Sequence, residues 1–173
     1  MRRGGPALLI REERTGDRET VRLVVAEAFK EHPHSSQREH HLVDALRDAG
    51  ALTLALVAEE NGEVVGHVAF SPVRIGGVVE QWYGLGPVAV RPDRQRQGIG
   101  TALIREGLKR LKSLQAAGCV LLGEPDYYGR FGFAAYPQLR LEGVPPEFFL
   151  ALPFNGTVPA GTVEYHPAFS EAG

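Results

Sequence analysis

The fold class this sequence predicts is a single mixed α/β domain, and three observations predict it. The chain has 173 residues, one ordinary domain's worth and enough to bury a sizeable core. Its apolar spacing switches between helical and strand periods along the chain. The strand-like runs are joined by tight turns before the long helical stretch begins, so the order is strand, two helices, three strands, helix, strand, short helix, strands. With 43% hydrophobic and 23% charged residues, the composition excludes a disordered or fibrous chain.

Residues 10–13 read as a short strand. Thr15 reads as the N-cap of a helix whose first turn holds Asp17 and Glu19, where carboxylates meet the positive end of the dipole. Val21, Val24, Val25, Ala28 and Phe29 follow at the spacing of one buried helical face. His32-Pro33-His34-Ser35-Ser36 breaks that helix. A second follows, with Leu42, Ala45, Leu46 and Ala49 on its apolar stripe and Gly50 as its stop. Residues 52–59 and 64–75 are strand-like and flank Asn61-Gly62, a strong hairpin signal; Gly76-Gly77 then turns the chain into a third strand over 78–90. Gly84-Leu85-Gly86-Pro87 interrupts this strand, because two glycines and a proline suit a bulge or a splayed edge.

A long helix over 98–117 places Ile99, Leu103, Leu111 and Leu114 inward, with Gly107 allowing close packing and Gly118 as its end. Residues 119–122 have the short apolar run of a buried parallel strand. A helical turn over 125–131 leads into Phe133-Ala134-Ala135. The Pro- and Gly-rich last third holds one more strand-like block at 148–152. No internal repeat, low-complexity segment or interdomain linker interrupts this order.

Net charge is −2, from 19 basic and 21 acidic side chains, so nothing global pulls the chain toward nucleic acid or a membrane surface. No apolar run approaches the roughly 20 residues of a membrane span. The apolar block that follows Arg2 and Arg3 covers only residues 7–10, too short for a secretory signal, so a cytoplasmic protein is expected. The single cysteine, Cys119, has no disulfide partner. No Cys/His cluster suggests a metal, and His32, His34, His40 and His41 do not recur at ligand spacing.

The chemistry concentrates where the third strand meets the long helix. Gln95, Arg96, Gln97, Gly98, Ile99, Gly100 and Thr101 form a glycine-containing loop opening into a helix. Glycines let the backbone approach a ligand, and the first N–H groups of a helix lack intrahelical partners, which makes an anion site suited to a pyrophosphate. Arg91, Arg94 and Arg96 add positive charge, partly offset by Asp93. The dinucleotide fingerprint does not fit, since Leu103 stands where its third glycine belongs, and no G-K-[ST] follows to make a P-loop. An isolated G-x-G is equally a capped turn.

Gln95-Arg96-Gln97-Gly98-Ile99-Gly100 resembles the Q/R-x-x-G-x-G/A acetyl-CoA motif of the GNAT superfamily of N-acetyltransferases. Tyr128-Gly129-Arg130-Phe131-Gly132-Phe133 is similar to that family's Y-x-x-x-G-F segment, in which the tyrosine faces the coenzyme's sulfur. Both stand in the family's order, separated by a helix and a strand. The resemblance covers residues 10–152 as the acetyltransferase core, with 153–173 as a C-terminal extension. It implies a mostly antiparallel, twisted sheet splayed at a bulged strand. It implies that Val88, Ala89 and Val90 present backbone groups to the pantetheine arm and that 96–101 hold the pyrophosphate. Tyr128 would act as general acid on the departing thiolate, and the acceptor amine, of a small molecule or a protein, would attack directly.

Histone-modifying members place a glutamate on the bulged strand, and Gly84 stands there instead. Glu80, Glu124 and His67 remain as candidate general bases, each with a plain structural reading as strand, turn or sheet residue. Residues 34–39 would touch the acceptor. Glu31, Glu39, Glu80 and Glu124 would suit a cationic small amine over a histone-like tail, if two of them line the cleft. Tyr127 misses the motif's register by one, and Cys119 reads as a buried, inert thiol. A homodimer is compatible with all of this. The rival class is an acyl-CoA sensor or regulatory module without turnover.

Overall fold

A computed structural model describes residues 8–30 and 38–169, without the side chains of 79 and 80. The breaker at 32–36 and the expected acceptor residues 34–37, like Glu31, lie outside the described residues. The strands are β1 (Leu8–Glu12), β2 (Leu54–Glu60), β3 (Glu63–Ile75), β4 (Val78–Val90), β5 (Gly118–Leu122), β6 (Leu139–Arg140), β7 (Phe149–Pro153) and β8 (Gly161–Glu164). The helices are α1 (Arg18–Phe29), α2 (Glu39–Asp48), α3 (Ile99–Ser113) and the single turn α4 (Pro125–Tyr128). The sheet runs β1-β2-β3-β4-β5-β7, with β8 also on β3 and β6 on β8. Its pairs are antiparallel except β4–β5 and the short β6–β8 contact. This is the mixed α/β class expected.

Both hairpin signals hold. Asn61 and Gly62 sit at φ 51° and 82°, and Gly76 and Gly77 at 60° and 79°, the positive values a two-residue turn between twisted strands requires. Val21, Val24 and Val25 of α1 and Val43 of α2 pack on Val57, Val64 and Ala89 of the sheet, while Leu42 and Leu46 of α2 pack with Ala51 and Ala168. On the opposite face α3 lies against β3, because Gly107 leaves room for the Phe70 ring; a Cβ at 107 would collide with Phe70 Cε1 and Cζ. Phe70 is fully buried there beside Leu103, Ile104 and Leu111.

Several local expectations are corrected. Thr15 is not a cap: it opens a 3-10 turn, and Asp17 accepts the Arg14 N–H at 2.7 Å while pairing with Arg11 at 2.7 Å. Arg11 holds the Asp17 carboxyl below the usual carboxylate range. The long helix stops at Ser113, with Gln115 at φ 66° turning the chain, so Leu114 is exposed and not inward. Gly118 does not end the helix but starts β5, where the Trp82 indole fills the space a Cβ would take. β6 and β8 were not expected. The blocks at 119–122, 125–131 and 148–152 fall within a residue of β5, of α4 with its following turn, and of β7. Among the described residues no helix is long and apolar enough to cross a membrane.

Candidate active site

The site begins where β4 loses its neighbour. The β4–β5 ladder holds only Trp82↔Gly118, Tyr83↔Cys119 and Gly84↔Val120, after which β5 continues on β7 alone. One reason is a bulge. Between Val68↔Val88 and Phe70↔Leu85, one β3 residue faces two of β4, Gly86 and Pro87. The extra residue bends β4 away, as the glycines and proline of the sequence suggested. A second bulge, at the β4 start between Tyr83 and Val79, puts Gln81 at φ 64° and was not foreseen.

Beyond the bulge, the Arg91 N–H donates to Val65 O at 2.8 Å. Alternation along the strand then turns Ala89 toward β3 as well and leaves the N–H and C=O of Val88 and Val90 on the open edge. Gln95 Nε2 donates to Val90 O at 3.0 Å, tying the glycine loop to that edge. The side chains of Val88 and Val90 pack toward α3 and that of Ala89 toward α1.

At the α3 end of the edge the N-cap is Gly98, at φ 86° and with no side-chain cap. Ala102 N–H already donates to Gly98 O at 3.0 Å, so the N–H groups of Ile99, Gly100 and Thr101 are the orphan donors of the first turn. The Ile99 side chain is buried against Gly66, which leaves its amide as the group available to a ligand. Arg96 and Gln97 are exposed, Arg96 at φ 65°. The expected charge is corrected. Arg91 is held by Asp93 (2.7 Å) and Glu63 (3.3 Å), and Arg94 by Glu60 (2.6 Å), so Arg96 is the loop arginine without an ion-pair partner among the described residues.

Across from α3, Gly123 and α4 follow β5. The Tyr128 ring lies against Gly123, where a Cβ would collide with Cε2, and stacks edge-on with Tyr127 at 4.8 Å. Burial, helped by Tyr127, pushes the Tyr128 hydroxyl up to about 12, so it stays protonated at any working pH. Tyr127 was the weaker candidate in sequence, yet its hydroxyl is 2.9 Å from Thr101 Oγ1. No local sequence signal marks that contact, since it joins residues 26 apart.

The candidate bases separate. His67 is fully buried beside Val57 and Ala89, with neither ring nitrogen hydrogen-bonded, and burial aided by Arg47 drives it down to about 3. Its nearest carboxylate is Glu13, 3.6 Å from Nδ1 and ion-paired to Arg47. It stands level with Ala89, beyond the bulge from the point where β5 departs. Glu124 is the exposed N-cap of α4, and Glu39 opens α2. Glu31 and the Glu80 side chain lie outside the described residues, which leaves Glu39 and Glu124 as the described carboxylates of that expectation. Burial also drives the Cys119 thiol up, which keeps it inert. Among the described residues no His/Cys/Asp/Glu group could hold a metal. A surface groove of about 450 Å³, lined by Leu23, Glu27, Glu63 and Arg91, lies on the α1 side, outside the splay.

Known proteins share this fold. The family model for acetyltransferases (GNAT) matches residues 18–133. The chain is 38% identical over 172 residues to "Uncharacterized N-acetyltransferase YhbS" of Escherichia coli K12, covering 94% of this chain and 99% of that protein. A Brucella melitensis GNAT family acetyltransferase, solved in complex with acetyl-CoA, superposes with TM-score 0.86 at 52% identity, over 95% of this chain and 99% of that one. Escherichia coli YhbS in complex with CoA superposes with TM-score 0.89 at 35% identity, over 100% of this chain and 97% of that one.

Proposed function

The chain belongs to the acetyltransferase (GNAT) family, and from that premise we propose that it transfers acetyl from acetyl-CoA to a primary amine, on a small molecule in preference to a histone-like tail. The observation that carries this is the uncapped first turn of α3 at the end of the open β4 edge. The backbone at Val88 and Val90 hydrogen-bonds the pantetheine amides as an added strand would. The amides of 96–101 receive the pyrophosphate, with Arg96 as the loop arginine left without an ion-pair partner among the described residues and Gln95 holding the loop on the strand. Ala89 supports that edge by pairing with His67 on β3.

A neutral amine attacks the acetyl carbonyl directly. The Tyr128 hydroxyl, on the β5 side of the splay, passes its proton to the departing sulfur, and the proton that the attacking nitrogen gives up as the amide forms restores the phenol, directly or through water. What supports the tyrosine is its burial and its fixed packing on Gly123. Acetyl-CoA should raise the melting temperature, and a panel of primary amines should release free CoA thiol. Absence of any thermal shift with millimolar acetyl-CoA sinks the reading. Binding without thiol release on any amine would make the protein a binding module instead.

A further inference from the structure

The position at which a carboxylate is missing is not empty. Gly84 is the last β4 residue paired to β5, so it lies at the apex of the splay. A Cβ built on Gly84 would lie 2.5 Å from Tyr165 Cε2 and 3.3 Å from its Cζ. The ring therefore occupies the volume of a residue-84 side chain. Ser71 is the β3 partner of Gly84 and shares its face of the sheet; its Oγ is fully buried with no hydrogen-bond partner. Among the described residues the Tyr165 hydroxyl likewise makes no hydrogen bond.

Tyr165 is held from both sides. Before it, β8 pairs with β3 through Arg74↔Glu164 and Ile75↔Val163, with Val163 buried. After it, Ala168 is buried against Leu42 and Leu46 of α2, its N–H donating to His166 Nδ1 at 3.0 Å. The Phe169 ring backs Tyr165 edge-on at 4.9 Å. The ring is thus held in place on a face that carries one buried hydroxyl without a hydrogen-bond partner, Ser71 Oγ, while its own hydroxyl stays uncommitted.

Resting on the acetyltransferase reading, we propose that Tyr165, with Ser71, binds the acceptor amine at the apex of the splay, and that the acceptor is a weakly basic α-amino group on an apolar stem. The ring covers the stem and the hydroxyls pair with the amine. With no carboxylate at position 84 and water displaced by the ring, the site takes the amine already uncharged. An α-amino group, with pKa about 7.7–8.0, is about half neutral at pH 8, whereas a lysine-type amine at about 10.4 is neutral in well under about 1% of molecules.

The test compares L-phenylalanine amide with N-acetyl-L-lysine amide at pH 8. Each is followed by calorimetry on the CoA-saturated protein, which needs no turnover, and by thiol release with acetyl-CoA. Wild type should bind and acetylate the phenylalanine amide in preference. Tyr165→Leu should raise its Kd and KM by at least about tenfold, the loss of an aromatic contact, while the acetyl-CoA KM stays within about twofold. Tyr165→Phe keeps the ring and should cost only the hydroxyl's share, about fivefold. The proposal is overturned if neither amine binds the CoA-saturated wild type, if the lysine amide is preferred, or if neither Tyr165 variant changes amine affinity. It is also overturned if amine and acetyl-CoA affinities fall together, since that marks a structural role. Failure of wild type to bind acetyl-CoA would instead overturn the acetyltransferase reading.

Discussion

The hydroxyl of Tyr127 lies 2.9 Å from Thr101 Oγ1, which joins the turn after β5 to the first turn of α3. The tyrosine is braced from behind: Arg130 Nε donates to Tyr127 O at 2.9 Å, and the guanidinium sits 4.3 Å from the ring centroid. The residues that flank the two family-like motifs, Thr101 just after one and Tyr127 just before the other, are therefore in direct contact. Removing the bond with Tyr127→Phe should loosen the loop that receives the pyrophosphate. The acetyl-CoA KM should rise about three- to tenfold, the range of one neutral hydrogen bond, with kcat nearly unchanged. Steady-state kinetics with varied acetyl-CoA checks this, and a fall in kcat at constant KM would contradict it.

Tyr128→Phe should give the opposite split. If its hydroxyl protonates the leaving sulfur, kcat falls roughly 10²-fold with acetyl-CoA affinity retained. Because burial raises the hydroxyl to about 12, no kcat limb from Tyr128 should appear between pH 6 and 10. The raised value also has a stability consequence. The folded state keeps its proton where the unfolded chain, near 10, begins to lose it, so stability contributed below pH 10 is lost as pH climbs toward 12. Alkaline unfolding followed by circular dichroism should be shallower in the variant. An unchanged kcat in a normally folded variant reduces Tyr128 to packing.

What was legible in the sequence was written locally. Asn61-Gly62 and Gly76-Gly77 need positive φ, and Gly86-Pro87 disrupts a ladder whichever strands flank it, so turns and bulge could be read from neighbours alone. The uncapped α3 turn was legible for the same reason. Leu114 was misplaced because helical period continues past Ser113 in the sequence, while Gln115 turns the backbone. Pairings over long separations left no local trace: Glu60 neutralising Arg94, Tyr127 meeting Thr101, and β8 bringing Tyr165 over Gly84. Each is decided by where the chain returns, which spacing does not encode.

His67 gives a prediction that separates burial from catalysis. Burial drives its pKa from 6.5 down to about 3, so the folded protein holds it neutral while the unfolded chain protonates it below pH 6.5. Its contribution is therefore present above pH 6.5 and is lost as pH falls toward 3, by no more than about 1.4 kcal/mol per pH unit for one proton. His67→Leu replaces an unsatisfied ring with apolar volume and should flatten the stability between pH 6.5 and 4, measured by urea denaturation. Acetyl transfer should be unaffected. A variant that folds but loses its rate dependence on pH would restore His67 as the base.

Gly98 and Gly100 divide the glycine motif into a conformational part and a contact part. At φ 86° Gly98 holds a backbone state that an L side chain adopts at a cost of about 1–2 kcal/mol, although a Cβ there meets nothing within 4 Å. Gly98→Ala should therefore lose stability and acetyl-CoA affinity together, because strain and site distortion share one cause. Gly100 is inside α3, and a Cβ there makes only ordinary contacts, 3.7 Å from Val90 Cγ2 and 4.0 Å from the Tyr127 hydroxyl. Alanine also improves helix propensity by up to about 1 kcal/mol, so the free protein should be as stable as wild type or more so. The added methyl nonetheless stands beside the orphan amides of the first turn, where a pyrophosphate needs close approach. Gly100→Ala should therefore raise the acetyl-CoA Kd about tenfold or more while the Tm of the free protein holds or climbs. Thermal denaturation and calorimetry on the same preparation read both quantities. Undiminished acetyl-CoA affinity in Gly100→Ala would remove the helix start from the site, however well the motif matches.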